Sequence, residues 1–375
     1  MLPRLSTARS LICLALLCLP RTPSAQAGSG LGSGCPDCEI ELTRIVTLGG
    51  INDPGGVTQA DQVAVDSQGR YVVANVMRSE LTVFDRAGTY IRTVGRSGGG
   101  PGEFRNIAAI WARGDSINIL DAANRRLTVL GPAFEVVRTA RIPTAASEIR
   151  AIPLDAGRIL MNATLPTPGH VGLPLHVISP DGEVVRSFGA DDEAVLPGHA
   201  RADGRILARA GTGSVWAGQI GSYTLDLWSL EGRHIRTLVR RPEWFPESRT
   251  DQEYDPADPP RPFLKAIRLN QDGTLLTVTI VADERWTDGA ILTRANGTGR
   301  IVGWRPDRAD RLFDSMIEVM DTRSNTLLKT VRFEGYISQL LPGALAVASH
   351  ADENGVEYLD ILKLDWQPTP AGGED

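Results

Sequence analysis

The most regular feature of this sequence is a hairpin-like pattern of hydrophobic and polar positions that recurs along the chain. Each copy has an apolar run, a turn that contains glycine, and a second alternating run in which a basic residue precedes threonine or serine. Alternation on both sides of such a turn predicts a β-hairpin. Clear copies of the pattern lie at residues 83–94, 177–188 and 227–238.

The spacing of the basic residue predicts the size of the repeating unit. The aligned positions are Arg92, Arg138, Arg186, Arg236 and Lys329. The first three gaps are 46, 48 and 50 residues, which fits the four-stranded blades of a β-propeller. The fourth gap is 93 residues, and we interpret it as one enlarged blade because one further pair of inner strands is evident there, at 263–268 and 274–282.

The last repeating unit lacks an outer strand of its own. Its three strands are predicted at 336–341, 344–349 and 358–364, and the N-terminal segment 40–48 is a candidate for the fourth. Pairing that segment onto the last unit closes a ring and removes two exposed sheet edges. We therefore predict an all-β fold, a six-bladed β-propeller of four-stranded antiparallel blades. Seven blades is the alternative if residues 289–304 form a sheet of their own.

The N-terminal 27 residues have the form of a signal peptide. Arg4 and Arg9 precede the apolar stretch 11–19, and the small-residue site Ala25-Gln26-Ala27 follows. The apolar stretch is shorter than the roughly 20 residues that a membrane-spanning helix needs. We predict export to the periplasm or the extracellular space without a membrane span. The remaining chain is predicted as a flexible linker at 28–38, one propeller domain at 39–366 and a disordered tail at 367–375.

Charge limits the classes of partner. The whole chain has 39 basic and 45 acidic residues, and loss of the leader removes Arg4, Arg9 and Arg21, so 36 basic residues face 45 acidic ones and the net charge is −9. An acidic exported chain is a poor candidate for binding nucleic acid. We expect a monomer whose partner is a protein, a peptide or a small-molecule ligand.

Two cysteines remain after the leader, Cys35 and Cys38, and three roles are open to them. They are a redox pair, half of a zinc site or a small structural disulfide. A redox pair favours a strand-to-helix context, and a structural zinc site needs further ligands. A disulfide in an oxidising compartment is the favoured prediction, and it would lie beside the start of the closing strand.

One part of the chain resembles a known repeat. Residues 100–104 read Gly-Pro-Gly-Glu-Phe, and residues 121–126 contain Asp121, Asn124 and Arg126. This is similar to the NHL repeat, in which a Gly-Pro-Gly-Glu-Phe crossover leads to an inner strand and an Asp-x-x-Asn-x-Arg turn joins the second and third strands. The first blade, with Asn-Val-Met-Arg-Ser-Glu at 75–80, departs from the pattern. The resemblance implies an exported, TolB-like six-bladed propeller, and it supports a fold more than a function.

The resemblance also implies two kinds of metal chemistry to look for. Lyases with this repeat use a central metal bound by several histidines, and propeller lactonases use calcium bound by Glu, Asn and Asp at the inner ends of blades. The histidines of this chain are not patterned for such a site, although Asp61, Asn106 and Glu148 lie near predicted strand starts. No Gly-x-Ser-x-Gly elbow or phosphate loop is present. We predict no cofactor, keep a divalent metal as an alternative, and favour a binding protein over an enzyme.

Long loops on one face of the disc are the favoured place for function. In a four-stranded blade, the loop between the second and third strands and the crossover to the next blade emerge on the same face. The long crossover 240–262 and the long loop 283–311 meet this condition, as do the shorter loops 163–174 and 210–222. Aromatic residues in loops on a rigid scaffold commonly form binding surfaces, although they can also pack the loops onto the disc. The candidate binding residues are Trp216, Trp244, Phe245, Tyr254, Trp286, Trp304, His170 and His199.

Two hypotheses of function follow. The first is a scaffold that binds a ligand or a protein through the loops on this face. The alternative is a metal-dependent hydrolase or lyase with its site at the mouth of the central channel. Convergence of side chains at the starts of the inner strands would distinguish them; the positions concerned are Asp61, Asn106, Glu148, His199, Lys265 and Gln339.

Overall fold

A computed structural model describes residues 34–35, 38–50, 56–57, 60, 62–143, 150–165, 169–170, 172–189, 204–246, 255 and 257–367. Within these ranges the chain forms six four-stranded antiparallel sheets and one separate two-stranded sheet. The a strands of neighbouring blades contact one another around a closed ring, so they line the central channel. We name the strands of each blade a to d from the channel outwards.

The strands follow the chain in blade order, except that the first strand completes the last blade. That strand is β1 (Glu39–Leu48). Blade 1 contains β2 (Gln62–Val65), β3 (Tyr71–Asn75), β4 (Glu80–Phe84) and β5 (Tyr90–Val94). Blade 2 contains β6 (Ile107–Arg113), β7 (Ser116–Asp121), β8 (Arg126–Leu130) and β9 (Val136–Arg141). Blade 3 contains β10 (Arg150–Pro153), β11 (Ile159–Asn162), β12 (Leu175–Ile178) and β13 (Val184–Phe188).

The second half of the ring is built the same way, with one insertion. Blade 4 contains β14 (Arg205–Arg209), β15 (Ser214–Gln219), β16 (Thr224–Ser229) and β17 (His234–Val239). Blade 5 begins with β18 (Phe263–Leu269) and β19 (Thr274–Ala282), is interrupted by the hairpin β20 (Ala290–Arg294) and β21 (Ile301–Pro306), and ends with β22 (Phe313–Asp321) and β23 (Thr326–Phe333). Blade 6 contains β24 (Tyr336–Leu341), β25 (Leu345–Ala351), β26 (Glu357–Gln367) and β1. The short helices are Asp155–Gly157, Trp286–Gly289 and α1 (Ala309–Leu312).

The six-bladed prediction is confirmed, and the 93-residue gap has a structural explanation. The hairpin β20–β21 lies between the b and c strands of blade 5, and its two strands pair only with each other among the described strands. It is therefore an insertion in one blade rather than a seventh blade. No helix in the described part of the chain is long and apolar enough to cross a bilayer.

The ring closes as the sequence predicts. Strand β1 pairs antiparallel with β26, from Glu39 opposite Gln367 to Leu48 opposite Leu359. The side chain of Gln339 joins the a strand of blade 6 to the a strand of blade 1: its Oε1 accepts a hydrogen bond from the Val63 amide at 2.8 Å, and its Nε2 donates to the Val63 carbonyl at 3.1 Å. Closure gives blade 6 its fourth strand and covers the edge of β26 that would otherwise be unpaired.

The hydroxyl residue of the repeat has a structural role that the sequence does not reveal. In every blade the d strand places this residue opposite a polar residue of the c strand. The pairs are Thr47 with Asp360, Thr93 with Thr82, Thr139 with Thr128, Ser187 with His176, Thr237 with Asp226, and Thr330 with Glu318. Where the partner is a carboxylate, the hydroxyl donates a hydrogen bond to it. The Thr47 hydroxyl lies 2.5 Å from Asp360 Oδ1, and the Thr237 hydroxyl lies 2.6 Å from Asp226 Oδ1. In blades 3 to 6 the hydroxyl thus makes a hydrogen bond to the polar side chain of the c strand, which helps to satisfy that buried group.

The hydrophobic core lies between the blades. Leu81 of blade 1 packs with Ile119 of blade 2, and Phe84 of blade 1 packs with Leu48 and Leu359 of blade 6. Trp111 and Trp228 are buried in strands. Each blade therefore buries both of its faces against its neighbours, and stability depends on the complete ring.

One glycine mediates close contact between two blades and provides a test of the packing. Gly182, in the turn between β12 and β13, has φ +91°, and a Cβ there would collide with the backbone carbonyl of Arg141 in blade 2. Gly211 has a similar φ of +83°, but a Cβ there would meet nothing within 4 Å. Gly211→Ala is expected to cost about 1 kcal/mol through backbone strain alone.

Gly182→Ala is expected to cost about 2–3 kcal/mol in all, because overpacking against a fixed backbone adds to the same strain. Chemical denaturation of both variants measures the difference. Equal losses in the two variants would show that the contact between Gly182 and Arg141 does not constrain how the blades pack.

Candidate functional site

A large cavity lies at the mouth of the central channel. It has a volume of about 1120 Å³ and opens on the face where the b-to-c loops and the crossovers emerge, which we call the loop-rich face. Five blades contribute residues that begin or immediately precede their a strands. These residues are Gln62, Ile107, Arg150, Gly204 and Tyr336. We call this cavity the recess.

The insertion of blade 5 forms one wall of the recess through residues 306–311. Arg308 fastens this wall to blade 6: its guanidinium donates hydrogen bonds to the backbone carbonyls of Ala351 and, at 2.9 Å, of Asp352. The same guanidinium pairs with Asp310 at 3.2 and 2.6 Å, and the Ala351 amide donates to Asp310 at 3.3 Å. The hydrogen bonds to Asp310 raise the pKa of Arg308 above its ordinary value. The wall is therefore held in place by charged hydrogen bonds.

Blade 6 forms the adjoining wall with an aromatic pair. The rings of His350 and Tyr358 stack with their centroids 5.3 Å apart and their planes 11° apart. His350 Nδ1 lies 3.5 Å from Asp360, and the Tyr358 hydroxyl lies 3.5 Å from Asp352. The backbone amide of Val356 donates to Asp352 and is the main cause of the lowered pKa of that carboxyl. Asp352 therefore stays ionised at neutral pH beside the stacked rings.

Both signs of charge line the recess. Three arginines and His350 share it with four acidic residues, and two tyrosines are present as well. The arginines are Arg150, Arg308 and Arg311, and the acids are Asp307, Asp310, Glu353 and Glu357. Small-molecule sites have volumes of about 300–1,000 Å³ and a few placed polar groups. The recess is slightly larger and more polar than such a site. It therefore suits a polar ligand at least as large as a typical small molecule, such as a peptide.

Trp216 does not lie in a loop. The prediction of a loop at 210–222 is wrong, because β15 occupies Ser214–Gln219. Val215, Trp216 and Ala217 are all buried, Trp216 with 1% of its surface exposed. A strand buried on both faces shows no alternation in its sequence, so the pattern is not recognised as a strand. The buried indole, with the Arg236 guanidinium 5.3 Å above its ring, packs the core and presents no surface to a ligand.

Trp244 and Phe245 pack the crossover onto the disc. Phe245 is buried, and its ring centroid lies 5.5 Å from that of Tyr223, while the centroid of Trp244 lies 6.0 Å from Tyr223. Trp286 and Trp304 lie at the base of the insertion hairpin, half-buried and with centroids 5.8 Å apart. These aromatic residues hold loops in position.

The remaining predicted binding residues are histidines and one tyrosine. His170 Nδ1 lies 2.7 Å from Ser187 Oγ, beside the buried His176. Tyr254 and His199 lie outside the described residues. None of the candidate residues that the structure describes lines the recess.

Strand-start residues do not converge on a common ligand. Both polar atoms of the Gln339 side chain bond to Val63, as described above, and the Asn106 amide donates to Asp121 at 3.2 Å. Asp61 and Glu148 lie outside the described residues. Among the residues that are described, no three His, Cys, Asp or Glu side chains are grouped as a metal site would require.

Arg308, Asp310, His350 and Tyr358 are not among the residues that the sequence singles out. The sequence contains a signal for two of them, His350 and Tyr358. The polar segment Asp-Glu-Asn-Gly at 352–355 separates the second and third strands of the last unit, so it emerges on the loop-rich face like the other b-to-c loops. Arg308 and Asp310 carry no such signal, because their position depends on how the insertion folds back against blade 6.

Comparison with known families supports the fold. A family model described as a 6-bladed beta-propeller, DUF5128, matches residues 56–160. No protein of curated function matches the chain.

Solved structures give the same result. A Bacteroides fragilis protein that is described as exported aligns with a TM-score of 0.56 and 12% identity over 87% of this chain and 95% of that chain. A DUF4221 family member from Bacteroides vulgatus aligns with a TM-score of 0.58 and 11% identity over 88% of this chain and 99% of that chain. A virginiamycin B lyase from Staphylococcus aureus has 12% identity over 87% of this chain and 100% of that chain, but its TM-score of 0.48 has no bearing on activity. The first two alignments, with TM-scores above 0.5, support the fold and nothing further.

Proposed function

We propose that this chain is an exported β-propeller that binds a ligand or a protein partner on its loop-rich face, with the recess as the seat of the ligand. The observation that carries the proposal is the recess itself, a cavity of about 1120 Å³ to which five blades and the blade 5 insertion contribute. Its wall is held by the Arg308 and Asp310 hydrogen bonds, so the cavity is formed before a ligand arrives. A preformed site avoids the cost of ordering loops on binding.

Binding is favoured over chemistry by the arrangement of the titratable side chains. Arg308 pairs with Asp310, and His350 stacks on Tyr358 and lies near Asp360. These contacts orient groups for hydrogen bonding and stacking with a polar ligand.

Export and the disulfide belong to the same proposal. Residues 1–27 have the signal-peptide form, and the similar Bacteroides fragilis structure is of a protein described as exported. Cys35 and Cys38 have Cα atoms 5.4 Å apart, within the range for a disulfide. Cys38 is buried directly before β1, so the bridge would hold the start of the closing strand.

The NHL-like character of blade 2 is supported by what Asp121 contacts. Its carboxylate accepts hydrogen bonds from the backbone amides of Arg105, Asn106 and Asn124, each at 3.2 Å, and from the Asn124 side chain at 2.6 Å. The Asp and Asn of the motif therefore tie the crossover to the turn between the b and c strands. We infer that blade 2 is an NHL-like blade.

The recess proposal predicts which substitutions abolish binding. Peptides and polar small molecules that raise the melting temperature of the protein are expected to bind at least about tenfold more weakly to Arg150→Glu and to Tyr358→Ala, because both residues line the recess. Arg113→Glu is the control, since Arg113 is exposed at a turn on the opposite face. Isothermal titration measures the affinities. The proposal fails if no compound binds, or if the control loses as much affinity as the recess variants.

A further inference from the structure

The insertion hairpin β20–β21 differs in chemistry from the rest of the chain. Residues 290–306 contain three arginines and no acidic residue, in a protein with 45 acidic and 39 basic residues. Arg294, Arg300 and Arg305 are all exposed. Ile291 and Val302 are exposed as well, at 37% and 47% of their surface. The hairpin is therefore a basic and partly apolar element on an acidic protein.

The hairpin also has open edges. Its two strands pair with each other from Ala290 opposite Pro306 to Arg294 opposite Ile301. Neither strand pairs with any other described strand, so each has one edge of backbone N–H and C=O groups without a neighbouring strand. A free strand edge is a template for another strand, and two-stranded hairpins are at best marginally stable alone.

The base of the hairpin is held firmly. Trp304 of β21 contacts Trp286 of the preceding short helix, with ring centroids 5.8 Å apart. Beyond β21, Arg308 bonds to blade 6 as described above. The Arg294 guanidinium donates to the Gly299 carbonyl at 2.9 Å, which ties the end of β20 to the turn at the tip. The hairpin thus presents its edges from a fixed position, which lowers the entropic cost of docking.

We propose that the β20–β21 hairpin is a docking element for an acidic polypeptide segment, which adds to one of its edges as an extra strand. Backbone hydrogen bonds supply affinity in this mode of recognition, and side chains supply specificity. The three arginines select negative charge, and Ile291 and Val302 offer apolar contacts to alternate residues of the incoming strand. The inference rests on the proposed binding role of the loop-rich face, but it does not require the recess to be occupied.

An acidic polypeptide fits the hairpin better than an anionic membrane does. The tip reads Asn-Gly-Thr-Gly at 296–299 and is exposed and polar. A hairpin that enters a bilayer needs apolar or aromatic residues at the end that meets the lipid. Here the exposed aliphatic residues lie along the strands instead, beside the open edges.

Fluorescence anisotropy with a labelled peptide of alternating glutamate and valine tests the inference. The full mature protein is expected to bind this peptide, and the triple variant Arg294→Glu, Arg300→Glu, Arg305→Glu is expected to bind it at least about tenfold more weakly. The matched control is Arg92→Glu, Arg138→Glu, Arg186→Glu, which makes the same change in net charge on exposed outer strands. The control is expected to stay within about twofold of the unmodified protein. Melting temperatures confirm that both variants are folded.

Hydrogen exchange gives a second readout. Added peptide is expected to slow exchange of backbone amides in β20 or β21, which a purely electrostatic association with the arginines would not do. The inference is overturned if the peptide does not bind, if a lysine–valine peptide binds equally well, if the control loses as much affinity, or if exchange in both strands is unchanged. Binding to vesicles of phosphatidylglycerol and phosphatidylcholine in place of the peptide would also overturn it, in favour of a membrane.

The two proposals fail separately. Arg150→Glu and Tyr358→Ala alter the recess and leave the hairpin intact, so peptide docking to the hairpin is expected to survive them. Loss of peptide docking with retained recess ligands would remove only the hairpin inference. Loss of recess ligands with retained peptide docking would remove only the recess as the seat of the ligand.

Discussion

Glu318→Ala is expected to destabilise the propeller by about 3–5 kcal/mol, because the substitution leaves a largely buried cation without its partner. Glu318 lies in β22 with no exposed surface. Arg240, in the crossover from blade 4, donates to its carboxylate from Nε at 3.1 Å and from Nη2 at 2.5 Å. Tyr223 and Thr330 donate to the same carboxylate, at 2.7 and 3.2 Å. One side chain therefore joins a crossover, a loop and two strands across two blades.

The pKa values of the partners agree with this arrangement. Burial is the main cause that raises the pKa of Tyr223 well above its ordinary value, and the charge of Glu318 adds to it, so Tyr223 stays protonated and donates. Burial by itself would lower the pKa of Arg240, but the hydrogen bonds and charge of Glu318 outweigh that effect and raise it. Arg240 remains charged after Glu318 is removed, which is why the substitution is costly.

Urea denaturation measures the effect, with Arg209→Ala as the control. Arg209 pairs with Asp155 at 2.7 Å, but the two side chains are 40% and 49% exposed, and such a pair is worth about 0–1 kcal/mol. The double variant Glu318→Leu, Arg240→Met is expected to cost less than the sum of the single changes, since it removes both charges together. Additive losses would mean that the two residues do not act as a buried pair.

Acidification from neutral pH to pH 5 is expected to lower the free energy of unfolding by about 2 kcal/mol, because of the buried His176. His176 lies in β12 with no exposed surface, and its pKa is lowered to about 4, mainly by burial and further by the nearby His170. Its Nε2 lies 3.0 Å from the Ala163 carbonyl and must donate, so Nδ1 accepts from the Ser187 hydroxyl at 2.7 Å. A protonated ring would lose that second bond.

The sign follows from the two pKa values. Unfolded histidine titrates near pH 6.5, so below that pH the unfolded chain takes up a proton that the folded chain refuses. The contribution of His176 to the stability of the folded protein is therefore fully present above pH 6.5, and it is lost as the pH falls towards the folded pKa of about 4. His176→Thr is the matched variant, because blades 1 and 2 place threonine at this position, at Thr82 and Thr128.

Denaturation of both proteins across this pH range provides the measurement. At neutral pH the variant is expected to be less stable, since it loses the hydrogen bond to Ala163. The difference between the two proteins in the free energy of unfolding is expected to narrow by about 2 kcal/mol at pH 5. If this difference in the free energy of unfolding does not change with pH, His176 is not the group that causes the loss of stability in acid.

Local patterns predict much of the fold because a propeller repeats one local unit. The spacing of Arg92, Arg138, Arg186 and Arg236 reflects hairpins whose turns and alternation are encoded within a few residues. The same reasoning fails at Trp216, where burial on both faces erases the alternation. Local patterns also do not explain why the hydroxyl residue recurs, because its partner lies on the adjacent strand. The partner of Thr330, for example, is Glu318.

The sequence by itself determined the six blades and the role of segment 40–48 as the closing strand, because periodicity and turn residues are local properties. Only the tertiary structure decided where a ligand can bind. The recess brings together Gln62, Arg150, Arg308 and Tyr358, which are far apart along the chain and meet only when the ring closes and the insertion of blade 5 is fastened to blade 6. Contacts of that kind depend on distances in the folded molecule, which no local pattern records.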